Sequence, residues 1–359
     1  MKCSGIFETL RRLAGAFAGR RVHYVTDDSR WSFSWDARYI VDELRARRVP
    51  AVVCRDVSGL KNQVLHFGDR YALLRLPQDA VDASNRLFLT WFHGSPDDPD
   101  HAMQEQFRRL AGWISRVERV VVPCRITRND LERAGIDRTR IASIPLGVDT
   151  KLFRPPGKEQ KDTVRRQLGI PGNAFCIGSF QKDGVGWGDG NEPKLIKGPD
   201  VFLDAIAGLA RRCPSLFVLL TGPARGYVKE GLNRAGVSFL HRCLDDYRDI
   251  GRYYHALDAY IISSRCEGGP KALLESWASG VPVISTRVGM AADLIRHREN
   301  GMLADTGDAA ALGGYAAELA GDPGLRERIA RNALLLSRDY SWQNIAGRYY
   351  QDLYRPCFP

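Results

Sequence analysis

The sequence predicts an α/β protein of two domains, each built on a largely parallel sheet. Three observations predict it. Segments with strand and helix patterning alternate along the chain, the signature of crossover units. The 359 residues exceed one ordinary core, at roughly 150 residues per domain. From Pro145 the stretch PLGVDTKLFRPPGKEQKD is rich in Pro, Gly and charge and poor in apolar anchors, a linker composition.

Residues 5–19 carry Ile6, Phe7, Leu10, Leu13, Ala14 and Phe17 on one helical face, with Arg11 and Arg12 off it, and predict an amphipathic helix. Val22–Val25 reads as the first strand. A polar and aromatic loop follows over Thr26–Trp35, then a helix to about Arg48. Ala51–Cys54, Leu87–Phe92 (ending at His93-Gly94), Val120–Pro123 and Ile141–Ile144 read as further strands. After a connection near residues 147–170 the alternation resumes, with strands at Phe175–Ser179, Leu216–Leu220, Ala259–Ser263 and Val281–Ser285. The domains are expected at 1–155 and 156–340, with a closing helix at 341–354 packed back on the first. Ligands of open α/β sheets bind beyond the carboxyl ends of strands, so candidate sites follow His93, Phe180, Gly222 and Ser264.

The chain carries a formal charge of +10, mostly from Arg spread along its length. Without a Lys/Arg block, the excess suggests attraction to phosphate-bearing ligands or an anionic membrane surface rather than to nucleic acid. No apolar run approaches the ~20 residues of a membrane span, and Arg11 and Arg12 interrupt the only candidate leader. A cytoplasmic protein is expected, with contact to the inner membrane face an open alternative. The eight cysteines are scattered without a C-x-x-C pair, so neither zinc nor redox chemistry is indicated. The Asp-x-Asp spelling in DDPD at 97–100 reads as a polar turn, and no metal is expected.

The chemistry concentrates in SRCEGGPKALLESWASGVPVISTRVGM, after the strand at 259–263. Gly268 and Gly269 let backbone approach a ligand closely. Pro270 suits a helix start, where its missing N–H costs nothing. The N–H groups and dipole of a helix beginning near Lys271 favour an anion such as a diphosphate, and Lys271 adds charge. Glu267 and Glu275 flank that anion site with carboxylates that accept hydrogen bonds from hydroxyls. A nucleotide sugar, with phosphates in the middle and hydroxyls at both ends, has the matching shape.

These residues resemble the E-x7-E motif of retaining glycosyltransferases of family 4, which have the GT-B fold of two Rossmann-like domains facing a central cleft. ASGVPVISTRVG, NGMLAD, IPLGVDTKLFRP, LTWFHG and YSWQNIAGRYYQDLY resemble further pieces of that family in the same order, covering 85–359 well and the first 85 residues loosely. The resemblance implies that Glu275 holds the donor ribose and Glu267 a hydroxyl of the transferred sugar. Gly268, Gly269, Leu273 and Leu274 would offer backbone N–H groups. Lys197, in KLIKGPDVFLDA, would bind phosphate, and His93 would sit near the anomeric centre across the cleft. Gly222 is a further point of ligand approach.

The chain departs from the pattern in two places. Ser179 stands where the family has an Arg, before an unusually long loop to Lys197, and Lys182 is the nearest substitute for that charge. The first loop lacks the family's Gly-Gly pair; Ser29, Arg30, Trp31 and Ser32 are acceptor or phosphate contacts by position alone. The implied reaction moves a hexose-type sugar from a nucleotide-diphosphate donor to a glycan, lipid-linked or small-molecule acceptor, with retention and without metal or cofactor. His93, Glu267 and Lys197 are its catalytic candidates. Rival readings are a sugar epimerase or phosphorylase of the same fold, and a non-catalytic sugar-nucleotide-binding or lipid-surface protein. Residues 104–118, with Phe107, Leu110, Ile114 and Val117 on one face beside Arg108 and Arg109, are a second candidate for lipid contact.

Overall fold

The structure, a computed structural model, describes residues 19–26 and 32–358. Most of the helix read at 5–19, and the candidates Ser29, Arg30 and Trp31, lie outside the described residues. Ser32 opens a helix, Ser32–Ala46. The chain divides into two compact units, one reaching Leu146 and taking in Trp342–Pro359, the other Gly147–Ser341.

The first unit holds a six-stranded parallel sheet of β1 (Val22–Val25), β2 (Ala51–Cys54), β3 (Val64–Phe67), β4 (Arg86–Thr90), β5 (Val117–Val122) and β6 (Ile141–Ser143), in the order β2-β1-β3-β4-β5-β6. Its strands are short apolar runs because helices cover parallel sheets. Leu65, Phe67, Leu87, Leu89, Val120 and Val122 point into one core with Leu110, Trp113 and Leu131 from the helices. At residues 104–118 the expected single helix is two elements, a helix His101–Trp113 and then β5 beginning at Val117. Phe107 and Ile114 pack on the core around the buried Leu110, so this apolar face is used internally and is not a lipid face.

The second unit repeats the plan with β7 (Phe175–Phe180), β8 (Leu216–Thr221), β9 (Ser238–Arg242), β10 (Ala259–Ile262), β11 (Val283–Thr286) and β12 (Met302–Ala304), ordered β12-β11-β10-β7-β8-β9 and parallel throughout. Helix Pro199–Ala210 shows why these segments fold as they do. Pro199 sits in its first turn, and Val201, Phe202, Ala205, Ile206 and Leu209 form one buried stripe. Each large side chain so buried contributes about 1.5–3 kcal/mol.

Three strands escape the sequence reading. β3 contains His66, β9 is an edge strand spelled SFLHR, and β12 has three residues; none shows a clear apolar run. The supposed linker holds a helix, Lys158–Leu168, ended by Gly169 in the left-handed conformation. Its anchor is polar: Arg165 and Lys161 donate to the Asp258 carboxylate at 2.6 and 2.8 Å, as does the Cys176 N–H at 2.8 Å. Burial alone would raise the Asp258 pKa; the two cations and the N–H override it and hold it below the ordinary carboxylate value.

The closing segment belongs to the first unit. Helix Trp342–Tyr349 runs into a π-helical turn over Tyr350–Tyr354. Trp342 stacks on Tyr39 at 5.5 Å, and the Tyr354 hydroxyl meets His66 Nδ1 at 2.6 Å, while His66 Nε2 meets Thr90 Oγ1 at 2.8 Å. Burial pushes the His66 pKa from 6.5 down to about 3. Between those values the unfolded chain binds a proton that the folded chain refuses, so His66 lets stability fall as pH drops and contributes fully above 6.5. The expected loss reaches about 1.4 kcal/mol per pH unit. Urea midpoints at pH 7, 6 and 5 should show a shallower decline in His66→Gln than in the wild type; equal slopes contradict this account.

Candidate functional site

β7 and β10 lie side by side, Ile177 opposite Ala259 and Gly178 opposite Tyr260, although β8 and β9 separate them in sequence. The chain leaves these two strands toward opposite sides of the sheet, and such a switch point opens a crevice at the carboxyl ends. Lys197 follows β7 and Glu267 follows β10. Gly198 makes their meeting possible: its φ is +63°, and a Cβ there would stand 2.0 Å from the Ser263 carbonyl oxygen. The Arg265 N–H donates to the Ile196 carbonyl at 2.9 Å, clamping the two loops together. As a result Lys197 Nζ lies 2.6 Å from Glu267 Oε1, which also accepts from Ser264 Oγ at 2.9 Å. Thr286 Oγ1 fixes Ser264 in turn, donating to its carbonyl at 2.6 Å.

Beyond Glu267 the backbone turns at Gly268, whose carbonyl accepts the Met290 N–H at 2.9 Å, passes Gly269, and enters helix Lys271–Ala278 with Pro270 as the capping residue. Leu273 and Leu274 are core side chains, and the Leu273 N–H donates to the Pro270 carbonyl at 3.0 Å. In this conformation the helix's first turn uses the Leu273 N–H, which the sequence reading offers to a ligand. Glu275 is 5% exposed. Its two oxygens accept from different phenols, Oε1 from Tyr247 and Oε2 from Tyr254 at 2.7 Å. Burial, reinforced by the Glu275 charge, raises the Tyr254 pKa well above its ordinary value, so that hydroxyl stays the donor. Lys271 Nζ stands 5.5 Å from the Tyr247 ring centroid, linking the helix start to the Glu275 pocket.

Ser179 is buried, and the charge beside it comes from Arg225, not from Lys182. Arg225 donates to the carbonyls of Ser179, Gln181 and Thr221 at 2.7, 2.9 and 3.0 Å and to Ser179 Oγ at 3.1 Å. Its Nε lies 2.9 Å from Asp183 Oδ1, and both side chains are almost wholly buried. Burial pushes the Asp183 pKa up and the Arg225 pKa down, each opposed by its partner's charge. Lys182 stands instead with its ammonium 4.4 Å from the Trp187 ring centroid. Gly222, with φ +96°, presents its bare Cα to the Gln181 carbonyl, which a Cβ would approach to 2.8 Å, so its open side serves loop packing.

His93 belongs to the first unit. It follows β4 in a loop held at both sides: its carbonyl accepts from Arg70, and the Phe92 carbonyl accepts from Thr127 Oγ1 at 2.9 Å. The nearby DDPD spelling is structural, since Asp100 caps helix His101–Trp113 by accepting from the Ala102 N–H at 2.9 Å. Among the described residues no group of three or more His, Cys, Asp or Glu side chains could hold a metal ion. None of the seven described cysteines forms a disulfide, and no described helix is long and apolar enough to cross a membrane.

The structure brings the sequence candidates Lys197 and Glu267 together and adds Ser264 to them, and it surrounds Glu275 with Tyr247 and Tyr254; the roles of Ser264, Tyr247, Tyr254 and Arg225 are not visible in the sequence. The two tyrosines sit in DDYRDIGRYYHALD, where an aromatic cluster ahead of β10 is the only signal. Arg225 gives none, because a lone Arg after a Gly-Pro turn reads as surface.

Two Rossmann-like units, with a cation and two carboxylates at the switch point of the second, define a GT-B protein. Sequence and structural likeness agree. Residues 4–152 match the family described as Glycosyltransferase Family 4, and residues 193–335 match Glycosyl transferases group 1. The chain belongs to glycosyltransferase family 4. It is 29% identical over 253 residues to D-inositol 3-phosphate glycosyltransferase of Corynebacterium urealyticum, covering 65% of this chain and 57% of that protein. It is 27% identical over 265 residues to the lipopolysaccharide core biosynthesis mannosyltransferase LpsB of Rhizobium meliloti, covering 69% and 70%. The match spans 57%, 53% and 47% of three such inositol phosphate glycosyltransferases, so about half of each lies outside it. The fold is shared with HepE of Anabaena in complex with UDP-glucose (TM-score 0.74, 19% identity, 94% of this chain and 99% of that one). It is also shared with sucrose-phosphate synthase of Thermosynechococcus elongatus (TM-score 0.74, 16% identity, 94% and 100%).

The buried Arg225–Asp183 pair yields a stability prediction. Asp183→Ala strands a buried guanidinium and should cost about 3–5 kcal/mol, whereas Asp183→Leu with Arg225→Met should cost less. Urea denaturation decides; a single variant as stable as the wild type contradicts the assignment.

Proposed function

We propose that the chain transfers a hexose-type sugar from a nucleotide-diphosphate sugar to an acceptor, with retention of anomeric configuration and without a metal ion. The observation that carries this reading is the Lys197–Glu267 pair at the β7/β10 switch point, with Glu275 about one turn inside the helix that follows. Crevices at such switch points take nucleotides. The start of helix Lys271–Ala278 offers N–H groups and a positive dipole end to a diphosphate, with the ammonium groups of Lys197 and Lys271 beside it. Glu275 accepts the ribose hydroxyls on one side and Glu267 a hydroxyl of the sugar on the other. Family membership supports the same reading, as do the names of the relatives: one is a D-inositol 3-phosphate glycosyltransferase and another a lipopolysaccharide core biosynthesis mannosyltransferase.

In the reaction the bond from the sugar's anomeric carbon to the diphosphate breaks, and an acceptor oxygen bonds to that carbon on the same face. The acceptor's proton passes to the departing phosphate oxygen, so no enzyme nucleophile is required. Negative charge grows on the diphosphate as the sugar becomes oxocarbenium-like. Lys197, already fixed by Glu267, and the helix amides stabilise that charge without rearranging, which is how preorganised groups lower a barrier. His93 remains the first unit's catalytic candidate. Glycan, glycolipid or polysaccharide synthesis is the fitting context, with a glycan, lipid-linked or small-molecule acceptor.

Thermal shift with UDP-, GDP- and ADP-sugars identifies the donor, since a ligand bound only by the folded state raises apparent stability. With that donor, Glu275→Ala should weaken binding about 10- to 100-fold, the loss of charge-assisted hydrogen bonds. Lys197→Ala should lower kcat about 10²- to 10³-fold. Unchanged donor affinity in Glu275→Ala overturns the ribose assignment, and unchanged kcat in Lys197→Ala overturns the phosphate assignment.

A further inference from the structure

The segment between Gln181 and Lys197 is not explained by the donor chemistry. It leaves the end of β7 and returns at Lys197, so both its feet stand at the switch point; Gln181 Nε2 donates to the Lys197 carbonyl at 3.4 Å. We propose that this segment is a rigid platform that takes a sugar ring of the acceptor against Trp187. The proposal rests on the glycosyltransferase reading above and adds a substrate subsite to it.

Rigidity comes first. The Val185 N–H donates to the Glu192 carbonyl at 2.9 Å and the Lys194 N–H to the Asp183 carbonyl at 2.8 Å, making a narrow two-sided turn. Its tip is fastened to helix Gly226–Arg234: the Gly226 N–H donates to the Asp189 carbonyl at 2.6 Å and the Tyr227 N–H to the Gly190 carbonyl at 2.9 Å. Gly190, with φ +74°, presses so closely on this region that a Cβ would lie 2.2 Å from the Ala224 carbonyl oxygen. The buried Asp183–Arg225 pair ties the near side to the ends of β7 and β8. The shape is therefore set on folding, and a ligand need not order it.

What the platform displays is apolar. Trp187 is 66% exposed, Leu195 54% and Val185 46%, three of the six large hydrophobic side chains exposed among the described residues. Exposed apolar groups carried on one rigid turn, a tryptophan among them, mark contact surfaces. Lys182 lies 4.4 Å from the indole centroid, a cation–π contact that orients the ring.

The charge around it selects the occupant. Apart from Lys197, paired with Glu267, and Asp183, paired with Arg225, the segment carries Lys182 and Lys194 against the exposed Asp189 and Glu192. This balance gives no net attraction to an anionic lipid surface. Exposed carboxylates on the same turn as an exposed indole instead suit a neutral polyhydroxyl ligand, whose C–H face covers the ring while its hydroxyls donate to the acids.

The test compares wild type, Trp187→Ala and Trp187→Phe on a glycan array, with thermal shift by UDP, GDP and ADP in parallel. The wild type should retain a subset of glycans, Trp187→Ala should lose at least about tenfold in binding to them, and Trp187→Phe should keep most of it. The nucleotide shift should be the same in all three proteins. Sedimentation with phosphatidylglycerol vesicles should not distinguish them. Absence of glycan binding by the wild type, equal glycan binding by Trp187→Ala, or a vesicle-binding loss in Trp187→Ala overturns the platform. Failure of every nucleotide to shift the wild type overturns the donor reading and leaves the glycan arm to decide the platform.

Discussion

The second unit depends on one pairing, that of β7 with β10 in the middle of its sheet. Backbone ladders set the two strand ends side by side, and the crossovers lead the chain away on either side. Every group of the candidate site hangs from that junction. Lys197 reaches Glu267 because Gly198 lets the turn after β7 press on the end of β10. Glu275 is held in place by the phenols of Tyr247 and Tyr254. The carboxylates are thus fixed before any ligand arrives, and a fixed polar site loses less on binding than one that must assemble.

Burying charge at such a place is costly unless each ion is matched. Arg225 meets that demand with three carbonyls and a hydroxyl that accept its hydrogen bonds, and with the Asp183 carboxylate as its ion-pair partner, at the carboxyl ends of β7 and β8. It sews together the two strand ends and the start of the long segment after β7. Asp258 does the equivalent work at the other end of the sheet, where Lys161 and Arg165 attach the helix that follows the connection between units. In the first unit the same logic is neutral: His66, kept uncharged by burial, ties β3 to β4 and to the closing segment through Thr90 and Tyr354.

Much of this was legible in the sequence, and the limits are physical. Parallel strands buried on both faces read as apolar runs, so β7, β8 and β10 were visible. β3 and β9 were hidden by His66 and by Ser238, His241 and Arg242; His66 and His241 take their places from partners elsewhere in the chain, Tyr354 and Gly222. The Gly-Gly-Pro helix start and its two glutamates were legible because glycine, proline and charge each constrain backbone locally. The partners of those glutamates were not: Tyr247, Tyr254 and Ser264 are ordinary residue types until the fold brings them within hydrogen-bonding distance. Lys182 shows the converse. Proximity in sequence suggested that it supplies the charge missing at Ser179, but the side chain stands by Trp187, and the cation that hydrogen-bonds Ser179 is Arg225, more than forty positions away.

The central claim is that the switch point between β7 and β10 holds a nucleotide-diphosphate sugar. Hydrogen–deuterium exchange of the whole chain, with and without saturating UDP, GDP or ADP, tests it directly because the readout is local. The account predicts slowed exchange at the backbone amides around 196–199 and 267–272 with at least one of these nucleotides. Protection confined to other parts of the chain, or none with any of the three, would contradict it.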